Sequence, residues 1–154
     1  MTDETYREMF PTSSQRGKDN DEKYSKYSTE EIIDAYRKQS VSVFPTIEVF
    51  VECEISDQND YILEGYHIES AVIEKLNRKY PGKIRSIVLV KTDPAKFLED
   101  LRRSTTPNDW ILARTHQEET FEKIAKMICD YGKITENEAK IYGVRVLHTD
   151  VDFN

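Results

Sequence analysis

Between residues 32 and 51, apolar side chains return every three or four positions: Ile32, Ile33, Tyr36, Val43, Phe44, Ile47, Phe50 and Val51. That spacing predicts a long helix with one apolar face. Ser28-Thr29-Glu30-Glu31 has the composition of a capping box at its start. Pro45 is expected to kink or split it, because proline has no N–H for the helical ladder. After a turn over 56–60, the period changes. Tyr61-Ile62-Leu63-Glu64-Gly65-Tyr66-His67 reads as a buried strand whose carboxyl end presents Glu64. Gly65 would then let the chain leave the sheet sharply.

Helical spacing resumes over 69–80, with Val72, Ile73 and Leu76 inward and Pro81-Gly82 as a stop. Residues 84–90, Ile-Arg-Ser-Ile-Val-Leu-Val, form the clearest strand, nearly continuous in apolar side chains, as in a parallel strand covered on both faces. Asp93-Pro94 opens a helix reaching Arg103, with proline at its first position. Residues 104–108 read as a loop. A short helical piece follows over 110–116, then a helix over 117–131 ended by Gly132 and another over 135–142 stopped by Gly143. Residues 144–147 make a last strand, from which His148 to Asp152 trail. At the other end, 1–10 resemble a helix start with Thr2 or Asp3 as cap, and 11–29 read as a loop.

Strands alternating with helices predict an α/β fold: a three-layer sandwich around a mostly parallel sheet, in one domain over 1–154. A net charge of −7 argues against a basic footprint for nucleic acid. The chain has no apolar stretch long enough to span a membrane and no opening signal peptide, which excludes membrane partners and favours the cytoplasm. Cys53 and Cys129 lack the spacing of a disulfide framework or a zinc site and suit a reducing compartment.

On the expected sheet, four groups converge at the carboxyl edge, where open α/β sheets place ligands. They are Asp3 with Arg7, Glu64 with His67, the set Arg102, Arg103 and Arg114, and Asp150 with Asp152. Carboxylates beside guanidinium groups suit phosphoryl transfer: acids orient a hydroxyl or hold Mg²⁺, and arginines neutralise the phosphoryl oxygens. Each group also has a plainer reading. Glu64 caps or pairs with a nearby helix. Arg102 and Arg103 are a solvated helix end. His67 is a hydrogen-bonded turn residue, His116 a surface residue, and Asp150 and Asp152 belong to a flexible polar tail.

Several of these stretches resemble P-loop small-molecule kinases, the 2-phosphoglycerate kinase-like group in particular. Thr2-Asp3 with Arg7-Glu8 resembles that family's Thr-Asp-x-x-Arg-Glu segment, with one extra residue before the arginine. Tyr61 to Ile68 resembles its strand ending in Glu-Gly-x-His. Ile87 to Asp93 looks like its next strand, Arg102 to Arg114 like its arginine-bearing lid (residues 102–116), and Gly143 to Asp152 like its final strand with a Thr-Asp ending. The resemblance implies a kinase-like transferase moving a phosphoryl group from ATP, with Mg²⁺, to a small hydroxylated metabolite. It assigns Glu64 and Asp3 to catalysis, Arg7 and His67 to the substrate, and Arg102, Arg103 and Arg114 to the nucleotide, with no dedicated metal ligand.

The sequence departs from the family in one decisive element. Its five glycines, at positions 17, 65, 82, 132 and 143, form no Gly-x-x-x-x-Gly-Lys-[Ser/Thr] loop, whose backbone N–H groups and lysine would hold the phosphates. The chain therefore reads as such a kinase lacking its N-terminal strand and phosphate loop. A truncated reading frame, a protein completed by a homodimer or another chain, and a non-catalytic interaction module all fit. Without a central strand, a sheet of about three strands with an exposed apolar edge is expected.

Overall fold

A computed structural model describes residues 4, 19–106 and 109–151. Among these, the order is α1 (Asn20–Lys26), α2 (Thr29–Ser56), α3 (Ser70–Lys79), β1 (Ile87–Val90), α4 (Pro94–Arg103), α5 (Trp110–Ala113), α6 (Glu118–Tyr142) and β2 (Arg145–His148). The expected three-layer sandwich is not what forms. The protein is mostly helical, and its only sheet among the described residues is the parallel pair β1–β2, with Ile87 opposite Arg145 and Val90 opposite His148. Residues 61–64 join no ladder, and all four are exposed, Ile62 at 90%. A strand gains stability from a hydrogen-bonded neighbour, and no described element supplies one here.

Local chemistry sets most helix starts. At α2 the Ser28 hydroxyl accepts from the Glu31 N–H at 3.2 Å and the Glu31 carboxylate accepts from the Ser28 N–H at 2.8 Å, closing the expected capping box. Asp93 accepts from the N–H groups of Ala95 and Lys96 at the head of α4, beside Pro94. The segment read as a loop before α2 instead contains α1, capped by Asp19. The expected split at Pro45 and the expected stop at Gly132 do not form. Pro45 lies inside an unbroken α2; the N–H it lacks would have gone to the carbonyl of Val41, and that residue is 74% exposed, so water can serve the carbonyl. Gly132 lies inside an unbroken α6. A Cβ there would stand 2.3 Å from the Lys91 carbonyl oxygen, so this glycine serves close packing of α6 on the end of β1 rather than termination.

The true end of α6 is Gly143, in the left-handed conformation at φ 67°. Two cores meet along α6. One joins Tyr24, Ile32, Phe97, Leu101 and Ile111 to Ile124, Met127 and Cys129. The other joins Ile73, Val88, Val90 and Ala139. Val88 and Val90 face inward, while Ile87 and Leu89 on the opposite face of β1 remain exposed. The strand's continuous apolar run anticipated cover on both faces, and the described chain covers one.

Candidate functional site

The carboxyl ends of β1 and β2 carry the most organised polar cluster that coincides with the expected ligand edge. Each strand runs into Thr-Asp: Thr92-Asp93 after β1 and Thr149-Asp150 after β2. The N–H of Thr149 donates to the Val90 carbonyl at 2.9 Å, and its hydroxyl donates to the same oxygen at 3.2 Å. Asp150 then reaches back across the pair. Its Oδ2 accepts from the N–H and hydroxyl of Thr92 at 2.8 and 3.3 Å and from the N–H of Asp93 at 3.1 Å. Burial on its own would raise the Asp150 pKa; these donors outweigh it and hold the carboxyl below its ordinary range.

The Asp150 side chain is only 4% exposed, and its Oδ1 has no hydrogen-bond partner. His148 lies beside it, with Nδ1 3.8 Å from that oxygen and Nε2 3.4 Å from Glu136 of α6. This overturns the flexible-tail reading of Asp150, which fastens the exit of β1 to the exit of β2. Asp152 lies outside the described residues.

The other predicted groups do not converge here. Asp3 and Arg7 lie outside the described residues. Glu64 is exposed in the irregular 61–64 segment, not at the end of a strand. His67 is half-buried, its ring stacked on Tyr66 with centroids 3.9 Å apart, its Nε2 buried and without a partner, and its pKa lowered by that burial. Its carbonyl accepts from the Ser40 hydroxyl. Arg102 pairs with Glu118, and Arg103 lies 2.7 Å from Glu99. Both end α4, whose start adjoins Asp150. Nine residues of helix, about 14 Å at 1.5 Å each, separate them from Asp93. Arg114 is exposed beyond α5.

The side chains at the strand ends do not fit a triphosphate. Lys91, the nearest lysine in sequence, is engaged 2.6 Å from Asp100, and the Asp150 Oδ2 already accepts three hydrogen bonds. Asp19, Asp21 and His116 bring one ligand atom each within 4.8 Å of one another. Asp19 is occupied as the α1 cap and Asp21 accepts from the N–H groups of His116 and Gln117. They tie α1 to the start of α6, and a histidine is a poor companion for Mg²⁺, which prefers oxygen.

Sequence reasoning missed a second cluster. Arg37 of α2 lies 2.5 Å from Glu138 and 3.9 Å from Glu69. Tyr131 donates to the Tyr66 carbonyl at 3.1 Å. Burial raises the Glu69 pKa against the pull of Arg37. The three charged residues come from α2, the start of α3 and α6, so no spacing announced them. The Asp150 clamp did have a signal, the Thr-Asp pair repeated after two strands. No family model matches this chain, and no curated protein or solved structure matches it either.

Proposed function

We propose that the chain is part of a kinase-like phosphotransferase acting on a small hydroxylated metabolite, and that it transfers phosphate only when a phosphate-binding loop is supplied by polypeptide outside these 154 residues. The observation that supports this reading is the parallel β1–β2 pair, joined through helices and clamped at its carboxyl end by Asp150. Ligands of parallel sheets bind at such an edge. The loop would supply the phosphate anchor that the described side chains lack.

The test fuses a strand–Gly-x-x-x-x-Gly-Lys-Ser–helix segment ahead of Met1 and titrates both forms with MgATP by calorimetry. The expected result is micromolar binding by the fused form and none by the chain alone. A folded fusion that binds no MgATP overturns the proposal.

A second reading, an interaction module without turnover, is favoured by the apolar side chains left uncovered at Ile62, Ile87 and Leu89. Under it, the fused form would also be silent toward ATP.

A further inference from the structure

Helix α2 changes character halfway along its length. Its buried residues are Thr29, Ile32, Ile33, Ala35, Gln39 and Ser40, all in the first half. The second half is as apolar in sequence yet holds no fully buried residue. Val41, Pro45, Val49 and Cys53 follow one another at intervals of four and are all exposed, the two valines at 74% and 62%. Positions four apart line up as a ridge along a helix, the shape that fits the groove of a second helix. The ridge spans 13 residues, about 18 Å or three turns.

The charge around this ridge is one-sided. Residues 41–64 contain six carboxylates, Glu48, Glu52, Glu54, Asp57, Asp60 and Glu64, and no lysine or arginine. They account for nearly all of the net charge of −7. Glu48 and Glu52 flank the ridge and share a single cation, Lys79 of α3, at 3.0 and 3.2 Å. A second copy of this chain packed on the ridge would bring these carboxylates against their own kind, and the nearest basic residues of α2, Arg37 and Lys38, are already paired with Glu138 and Asp34.

We propose, independently of phosphoryl transfer, that the Val41–Pro45–Val49–Cys53 ridge is a docking surface for a partner helix whose apolar face is flanked by lysine or arginine. The apolar ridge gives the contact, and the carboxylates select the sign of the partner and exclude self-association.

The probes are a synthetic amphipathic helix of leucine and lysine and its leucine–glutamate counterpart, added to the full chain. Cys53 is exposed and Cys129 is buried, so maleimide labelling of the folded protein reports on the ridge. The lysine peptide should bind and slow Cys53 labelling, and the glutamate peptide should do neither. A Val41→Ser/Val49→Ser variant with unchanged helical circular dichroism keeps every charge and should bind the lysine peptide at least about tenfold more weakly. Equal binding of the two peptides, binding of neither, or undiminished binding by the variant would each overturn the proposal. So would sedimentation of the chain alone as a dimer with Cys53 protected, which would assign the ridge to a second copy.

Discussion

The Asp150 carboxylate holds the exits of two strands together through three hydrogen bonds, and its ionised form is the one those donors favour. Asparagine keeps the shape but loses the charge and turns one oxygen into a donor. Asp150→Asn should therefore lower the unfolding free energy by about 1–3 kcal/mol at neutral pH, the usual cost for a buried charge-assisted bond. The sign of the pH effect follows from the depressed pKa. Stability from Asp150 is fully present above the unfolded-state value, near 3.9, and is lost as pH falls through the lower folded value. Urea titrations of both proteins should show the gap at pH 7 closing progressively below about pH 4. A gap that stays constant into acid would mean that the charge is not what stabilises the clamp.

Glycine usually weakens a helix by about 1 kcal/mol relative to alanine, so Gly132→Ala would stabilise α6 if only propensity counted. The Lys91 carbonyl 2.3 Å from the would-be Cβ reverses the sign: α6 must lift from β1, and a loss of about 1–3 kcal/mol is expected in thermal or urea unfolding. The same contact explains why the sequence misled at this point. Gly132 looks like punctuation because its partner in space, Lys91, is forty-one positions away.

Features set by neighbours in the chain were legible. The Ser28 capping box, the Asp93-Pro94 start of α4, the inward face of α3 and the Gly143 terminus all depend on residues within one turn. Ser28→Ala should cost about 1 kcal/mol on that basis, measurable by chemical denaturation. What depended on distant pairing was misread: an apolar run such as Tyr61-Ile62-Leu63 becomes a strand only if another strand lies beside it. The candidate site divides in the same way. The Thr-Asp pair after each strand was a signal for the Asp150 clamp that the tail reading passed over, while the union of Arg37, Glu69 and Glu138 required three helices to be placed first.

At the scale of the whole molecule, α6 organises the structure, because both cores draw on it. Ile124, fully buried in the larger core, should cost about 2–5 kcal/mol when truncated to alanine, enough to threaten a protein of ordinary stability. The periphery has no such support. Residues 61–64 lie between α2 and α3, exposed and without a ladder. Proteases bind their substrates as extended strands and cut where local opening costs least. Among the described residues, chymotrypsin should accordingly cleave first after Tyr61 or Leu63, long before the aromatic residues of α6. The first products should be two pieces that stay associated through the buried contacts of Ile32 and Ile33 and separate only in denaturant.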